Sequence, residues 1–307
     1  MAIKSYKELK TVRDLIRYAV SCFNQADLSF GHGNDNAWDE AVHLVLERLH
    51  LPLDQLDPYI DARLLEDERN LVLDLIHQRV ATRMPLAHLT GNAWLEGYRF
   101  LSDKRVFVPR SPIAKLINQE HLHPWVQDNT APMTMLNMCS GSGSLAVLMA
   151  MAFPNSEIDA VDFSEYAVLL TQRNVAMYKL EERIQTIESD LFKNLNSSRK
   201  YDVIISNPPY LSTQRMRTLP DEYRHEPIVA LHGGEDGMDT IRKLLKQAPK
   251  FLKNKGFIIL EIGFNKNSFE KAFPGLEAIF LENEFDSSTI LLLTKEQLIN
   301  FKDSAKQ

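Results

Sequence analysis

Short apolar runs alternate with helical segments from residue 133 almost to the C-terminus. The runs have the length and composition of buried strands, and the intervening segments repeat their apolar residues at helical spacing. This alternation predicts an α/β fold with a largely parallel, helix-covered sheet. The predicted strands are 133–138, 157–161, 183–188, 201–206, 257–262, 276–281 and 289–293, and the predicted helices between them are 144–153, 165–177, 239–251 and 268–273.

The N-terminal part of the chain has a different pattern. Apolar residues recur at helical spacing up to about residue 83, which predicts a small bundle with helices that include 37–49 and 62–82. Alternation of period two then predicts strands at 93–95, 98–100 and 105–108, with a tight turn at Glu96-Gly97. A helix should follow Ser111-Pro112 and run to about residue 125. We therefore expect a helical domain at 1–84, a β-hairpin linker at 85–110 and an α/β domain at 111–307.

Composition limits the classes of partner and compartment. The 307 residues carry 35 Lys and Arg against 41 Asp and Glu, a formal charge of −6, which argues against general binding to phosphate backbones and favours a basic protein partner. Two cysteines, Cys22 and Cys139, are too few for a disulfide framework. No apolar run approaches the roughly 20 residues that span a bilayer, and no signal-peptide pattern is present, so we expect no membrane partner and a cytoplasmic location.

Asn207-Pro208-Pro209-Tyr210 directly follows the predicted strand 201–206 and therefore lies at its carboxyl end, where ligands bind in open α/β sheets. Two consecutive prolines continue neither a strand nor a helix, so the loop is stiff. The Asn207 side-chain oxygen and the Pro208 carbonyl can both accept hydrogen bonds from one NH2 group, beside the aromatic ring of Tyr210. The alternative interpretation is a plain turn that ends in a core tyrosine.

The run 137–146 places Gly141 and Gly143 between the first predicted strand of the sheet and its helix, which is typical of a nucleoside-cofactor loop. Asp162 ends the next strand, where a carboxylate can accept both hydroxyls of a ribose. Asp190 ends the third strand, where it serves either the amine of adenine or a helix cap. The loop also fits a dinucleotide pattern, so the nucleoside stays open at this point. The candidate cofactor contacts are Asn137, Cys139, Ser140, Gly141, Ser142, Gly143, Asp162, Phe163, Asp190, Leu191 and Asn207.

Together, the glycine loop, the strand-end acids and Asn-Pro-Pro-Tyr resemble the class I S-adenosylmethionine-dependent methyltransferases that methylate glutamine side-chain amides in bacterial proteins. Within that family, the segments at 108–113, 219–227 and 293–298 resemble the branch that modifies ribosomal protein L-three rather than the branch that modifies release factors. The resemblance implies a helical substrate-recognition domain, a hairpin linker and a Rossmann-like seven-stranded catalytic sheet whose last strand is antiparallel. Asn137 departs from the family, which usually has aspartate there, and the lost charge weakens any contact with the cofactor's ammonium group.

The resemblance also implies the chemistry, which is methyl transfer from S-adenosyl-L-methionine to the amide nitrogen of a glutamine in ribosomal protein L-three. We expect the residues Asn207, Pro208, Pro209 and Tyr210 to form the catalytic motif, and Asn207, Pro208, Tyr210, Arg110, His225 and Glu226 to contact the substrate. No metal is required. His121 and His123 could form half of a metal site, but we do not interpret them as metal ligands, because no third ligand is near in sequence.

Four alternatives remain from the sequence. The first two are a release-factor glutamine methyltransferase and an adenine amino-methyltransferase that acts on nucleic acid; our preferred function meets nucleic acid only indirectly, through ribosome assembly. The other two are a nicotinamide-dependent oxidoreductase, which leaves Asn207 to Tyr210 unexplained, and a binding module without activity. The sequence predicts neither which glutamine is modified, nor the timing relative to ribosome assembly, nor the oligomeric state.

Overall fold

The computed structural model describes residues 6–117, 122, 124–281 and 289–304. The chain divides into two compact units. A helical unit runs through Ala93 and takes in the separate segment Pro220–His225, and a sheet unit comprises Trp94–Leu219 and the chain from Glu226 onward. The boundary at Ala93 falls within the hairpin linker that the sequence predicts at 85–110, and the three-part division stays a prediction.

The described residues of the helical unit form four α-helices: α1 Val12–Gln25, α2 Ala37–Arg48, α3 Glu66–Thr82 and α4 Leu86–Thr90. Thr11 and Asp14 form a capping box that starts α1, and the Asn36 side chain accepts from the first backbone N–H groups of α2. The predicted helix 62–82 begins later than expected, since the Leu64 and Leu65 N–H groups bond to the Lys10 carbonyl and the Glu68 carboxylate. Apolar faces of these helices enclose one core, which includes Leu15, Ile16, Phe23, Leu44 and Ile76.

The segment Pro220–His225 contributes a short 3-10 helix, Asp221–His225, to the helical unit. The side chain of Glu222 is fully buried, accepts a hydrogen bond from the Ser29 N–H at 2.9 Å and pairs with Arg83 at 2.8 Å. Arg79, itself buried, bonds to Glu40 at 2.6 Å and lies 3.9 Å from Glu222. Buried carboxylates require such partners, and these fasten the segment into the helical unit.

The sheet unit is built on a seven-stranded sheet of order β5-β4-β3-β6-β7-β9-β8. Strands β3 to β7 pair in parallel, whereas β9 runs antiparallel to both β7 and β8, as the resemblance implies. All seven predicted strands are confirmed; β6 has the predicted ends, and the other six are shifted at one or both ends. The strands are β3 Thr134–Met138, β4 Glu157–Asp162, β5 Ile184–Glu188, β6 Tyr201–Ser206, β7 Leu252–Gly263, β8 Ile279–Leu281 and β9 Thr289–Thr294.

Helices cover this sheet and bury its apolar side chains in two cores, one with Met135, Ile158 and Ile205 and the other with Leu136, Ile204 and Leu260. Adjacent residues of one strand thus enter different cores, as a parallel sheet buried on both faces requires. The helices of the unit are α5 Ile113–Leu116, α6 Ser144–Ala152, α7 Glu165–Met177, α8 Thr213–Arg217, α9 Ile228–Leu231, α10 Asp239–Gln247, α11 Lys266–Ala272 and α12 Lys295–Ser304. Across the described residues, no helix combines the length and apolarity that a bilayer crossing requires.

The predicted hairpin is confirmed as β1 Asn92–Leu95 and β2 Tyr98–Leu101, joined by Glu96 and Gly97 with positive φ angles. The predicted strand at 105–108 is wrong. The Asp103 carbonyl accepts from the Val106 N–H to close a turn, and the Val108 N–H bonds to the Glu226 carboxylate instead of a strand. Of the helix predicted after Ser111-Pro112, the described residues show α5 and the helical Leu122; residues 118–121 and 123, and with them His121 and His123, lie outside the described residues.

Candidate active site

The glycine loop joins the carboxyl end of β3 to the first turn of α6. Cys139, Gly141 and Gly143 all have left-handed φ angles, which fold the loop tightly. Gly143 has no room for a side chain, because a Cβ there would lie 2.6 Å from the Thr171 methyl group. A Cβ on Gly141 would meet nothing within 4 Å. The loop is therefore packed against α7 at Gly143 and open at Gly141, where a ligand can approach the backbone.

Asp162 lies at the carboxyl end of β4, one strand away from the glycine loop. Its carboxylate accepts hydrogen bonds from the Gly141 N–H at 2.9 Å and the Ser164 N–H at 3.0 Å. Burial raises the pKa of Asp162 above its ordinary value, although these backbone bonds oppose the shift. The neighbouring Phe163 is 53% exposed, so its ring is available beside the carboxylate. The geometry suits a ribose with an adjacent base.

Asp190 and Leu191 follow β5. Asp190 is exposed, whereas Leu191 is buried and has a left-handed φ of 51°. Residues 191–194 form turns rather than a helix, so a helix cap does not account for Asp190. The Ser189 N–H bonds to the Asp162 carbonyl at 2.8 Å, which joins the ends of β4 and β5. The two strand-end acids are thereby held on adjacent strands of one sheet edge.

Asn137 lies within β3 and is fully buried. Its amide nitrogen is 3.4 Å from the Ile205 carbonyl, and its side-chain oxygen has no hydrogen-bond partner among the described residues. The Ser140 hydroxyl is also buried without a described partner. Buried polar atoms are normally satisfied. These two, together with the open backbone at Gly141, fit a polar cofactor at this edge of the sheet.

Cys139 presents its backbone rather than a reactive thiol to this loop. Burial raises the pKa of the Cys139 thiol to about 12, so the sulfur stays protonated at neutral pH and is a poor nucleophile.

No cluster of three or more His, Cys, Asp or Glu side chains suitable for a metal occurs within the described parts of the chain.

Asn207 is half-buried at the carboxyl end of β6, directly after the buried Ser206. Its side chain makes no hydrogen bond to any residue that the structure describes. Pro208 is buried, and neither proline donates an N–H group. An amide oxygen without a protein partner, on a stiff loop, is free to accept from a ligand.

Tyr210 is held at both its backbone and its ring. The Asn265 side chain donates to the Tyr210 carbonyl at 2.7 Å. The hydroxyl donates to the Glu261 carboxylate at 3.0 Å, and the ring lies so close to Gly263 that a Cβ there would approach it to 2.4 Å. The other oxygen of Glu261 accepts from the Ser111 hydroxyl at 2.5 Å. Sequence reasoning missed Glu261, although a single carboxylate inside the apolar run 257–262 was a usable signal.

A glycine-rich segment, residues 233–237, packs against the backbone of the catalytic motif. A Cβ on Gly233 would lie 2.7 Å from the Pro209 carbonyl, and one on Gly237 would lie 2.3 Å from the Tyr210 carbonyl. The Leu211 N–H bonds to the Leu231 carbonyl, and the Gly233 N–H bonds back to Leu211. The glycines permit this close backbone packing, which supports the catalytic motif.

Arg110 and Glu226 are brought together in the sheet unit. Both terminal nitrogens of Arg110 bond to the Glu226 carboxylate at 2.7 Å, and the guanidinium lies over the Phe107 ring. The Glu226 side chain has no exposed area. His225 belongs to the helical unit, where its Nε2 is 2.9 Å from the Thr82 carbonyl. Their predicted contact with substrate stays a prediction, and the buried pair of Arg110 and Glu226 also has an evident role in positioning.

Known proteins resemble the chain over nearly its whole length. A family model described as Methyltransferase small domain matches residues 121–220. The ribosomal protein uL3 glutamine methyltransferase of Bordetella pertussis is 54% identical over 95% of this chain and 97% of its own length. The enzyme of that name from Francisella tularensis is 36% identical over 97% of this chain and 95% of its own.

The chain belongs to the family of ribosomal protein uL3 glutamine methyltransferases. Its fold is that of the class I S-adenosylmethionine-dependent methyltransferases, and the chain is a methyltransferase. Among solved structures, a methyltransferase from Pyrococcus furiosus superimposes with a TM-score of 0.48 at 17% identity, over 74% of this chain and 98% of that one.

Proposed function

We propose that this enzyme transfers a methyl group from S-adenosylmethionine to the side-chain amide nitrogen of a glutamine in ribosomal protein uL3. The observation that carries the proposal is Asn207, whose half-buried amide has no hydrogen bond to a described residue and follows β6 at the ligand-binding edge of the sheet. The relatives named for this activity support the same substrate.

The cofactor is assigned to the edge formed by the ends of β3, β4 and β5. Asp162 would accept the ribose hydroxyls, Phe163 would cover the base, and Asp190 would accept the exocyclic amine of adenine. The buried oxygen of Asn137 would face the amino-acid end of the cofactor. S-Adenosylmethionine supplies a methyl group that its positive sulfonium makes electrophilic, so the protein has no need to activate the donor.

Orientation of the glutamine amide is the main task of Asn207 and Pro208. An amide nitrogen is a poor nucleophile because its lone pair is delocalised into the carbonyl. When the Asn207 side-chain oxygen and the Pro208 carbonyl accept both N–H bonds, the lone pair turns toward the methyl carbon. Such positioning can lower a barrier by about 7–11 kcal/mol. The N–C bond forms as the C–S bond breaks, and the nitrogen then releases a proton to water.

The protein substrate is expected to be basic, since the enzyme carries a formal charge of −6. Proteins that bind ribosomal RNA are rich in Lys and Arg because they neutralise phosphates. The enzyme would therefore meet nucleic acid only through its substrate. The proposed substrate also places the enzyme in the cytoplasm, where ribosomal proteins are made.

The direct test uses purified uL3 and isotopically labelled S-adenosylmethionine. Replacing the oriented acceptor in Asn207→Ala should lower kcat by about 100-fold or more, as loss of alignment does, and calorimetry should find the cofactor Kd nearly unchanged. Asn155→Ala is the matched control, because Asn155 is exposed and the one hydrogen bond that its side chain makes to a described residue goes to the Thr130 carbonyl. If Asn207→Ala transfers the methyl group as fast as the wild type, Asn207 is not the residue that orients the glutamine amide.

The substrate itself is tested in cells that lack the enzyme. Mass spectrometry of ribosomal proteins and peptide chain release factors should find one methyl group missing from a glutamine of uL3. Loss of the methyl group from a release factor, with uL3 unchanged, would reverse the choice of substrate. Methylated adenine that disappears from nucleic acid would instead identify a base-modifying enzyme.

A further inference from the structure

Glu261 is a buried carboxylate that contacts the catalytic motif directly. It lies within β7, where residues 256–263 are all buried, and it is only 3% exposed. An ionised side chain is costly to bury, so a purely structural position in such a run favours an apolar residue. Each of its two oxygens accepts a hydrogen bond from a hydroxyl group, one from Tyr210 at 3.0 Å and the other from Ser111 at 2.5 Å.

These bonds fix the ring of Tyr210 in one orientation. Part of the ring is packed against Gly263, and the carbonyl of Tyr210 is held by Asn265. Rotation of the ring about its Cα–Cβ bond therefore carries the hydroxyl away from Glu261. A hydrogen bond to a buried carboxyl group is strong enough to favour one rotamer of the tyrosine.

We propose that Glu261 is a positioning residue of the methyl transfer, which acts through Tyr210 and is itself oriented by Ser111. This inference rests on the proposed function. In the proposed function the ring of Tyr210 packs against the glutamine amide, so the orientation of the ring sets how that amide can lie. Ser111 occupies the segment 108–113, which resembles the uL3 branch, and its hydroxyl donates to the carboxylate that holds Tyr210.

The test compares two substitutions of Glu261 that differ in hydrogen bonding. Glu261→Gln keeps an acceptor for Tyr210 and should retain kcat within about threefold, whereas Glu261→Leu removes both acceptors and should lower kcat by about 100-fold, as misplacement near 1 Å does. Cofactor Kd should stay the same in both. In a double-mutant cycle, Glu261→Leu should lower kcat little further in the Tyr210→Phe background, because either change alone already removes the bond between Tyr210 and Glu261.

Tyr201 offers a matched control in the same sheet. Its buried hydroxyl donates to the Asp159 carboxylate at 2.6 Å. Tyr201 is the first residue of β6, so this bond lies at the opposite end of the strand from the catalytic motif. Tyr201→Phe removes a bond of the same type, so it should lower the melting temperature while it leaves kcat unchanged. Equal kcat in Glu261→Leu and the wild type, or additive effects of Glu261→Leu and Tyr210→Phe, would overturn the proposal.

A second readout does not depend on activity. With 3-fluorotyrosine in the full chain, the fluorine resonance of Tyr210 is identified by its absence in Tyr210→Phe. Its chemical shift should change in Glu261→Leu and stay the same in Tyr201→Phe. An unmoved resonance in folded Glu261→Leu protein overturns the positioning role even if uL3 proves not to be the substrate. A moved resonance in an enzyme that leaves uL3 unmodified would contradict the proposed function alone.

Discussion

At the scale of single residues, the polar side chains at the strand ends divide into those already satisfied and those left for a ligand. Asp162 accepts two backbone N–H groups and Tyr210 is bonded to Glu261. The side-chain oxygens of Asn137 and Asn207 have no partner among the described residues. A protein that keeps buried polar atoms unsatisfied usually has a function for them.

Asn137→Asp should increase the affinity for S-adenosylmethionine by about fivefold, because a charged acceptor binds an ammonium group roughly 1 kcal/mol more strongly than a neutral one. The added carboxylate is buried in the free enzyme, so the melting temperature should fall without cofactor and recover with it. Calorimetry and thermal unfolding measure both. Asn155→Asp is the control, and a Kd that weakens in Asn137→Asp would contradict the assigned contact.

The raised pKa of Asp162 predicts how cofactor binding depends on pH. Its cause is burial, so Asp162 takes up a proton at a higher pH than the value near 4 of an ordinary aspartate. Only the ionised carboxylate can accept from both ribose hydroxyls. Affinity should therefore be full at neutral pH and fall as the solution is acidified through the raised pKa. Asp162→Asn should bind weakly at every pH, and a wild-type Kd that is constant down to pH 4 would argue against the contact.

At the scale of secondary-structure elements, sequence reasoning succeeds where the pattern is local. Runs of buried apolar residues located every strand, and Glu96-Gly97 located the hairpin turn, since a tight turn needs positive φ at both positions. Sequence-based prediction failed where a residue distant in the chain determines the local backbone conformation. Val106 to Val108 look like a strand, but Glu226 takes the Val108 N–H from 118 residues away. Likewise, nothing local in residues 233–237 shows that they support Tyr210.

Gly237→Ala tests whether the segment 233–237 supports the catalytic motif. Gly237 has a φ of +82°, and a Cβ there would lie 2.3 Å from the Tyr210 carbonyl, so the loop must shift. We expect kcat to fall at least tenfold through the displaced motif. Gly275→Ala is a close control, because its φ is +83° and nothing lies within 4 Å of an added Cβ. Both variants carry backbone strain of about 1–3 kcal/mol, so equal kcat in the two would dismiss the supporting role.

At the scale of the whole molecule, the acidic balance should steer a basic substrate toward the enzyme. The formal charge of −6 predicts that kcat/KM for uL3 falls several-fold as salt rises from about 50 to about 300 mM, since screening shortens the reach of surface charge. The change should appear in KM, with kcat at saturation unaltered. Steady-state kinetics across this salt range measure the change in KM. A KM that is independent of salt would mean that net charge does not guide the encounter of enzyme and substrate.

The segment Pro220–His225 links the order of synthesis to the order of folding. The ribosome makes α1 to α3 first, yet Arg83 and the Ser29 N–H find their carboxylate only when Glu222 has been translated. By then the chain has already passed β6 and the catalytic motif. The helical unit, though first to be synthesised, therefore reaches its native hydrogen bonding only after most of the sheet unit exists, so a truncated nascent chain holds an unfinished N-terminal bundle.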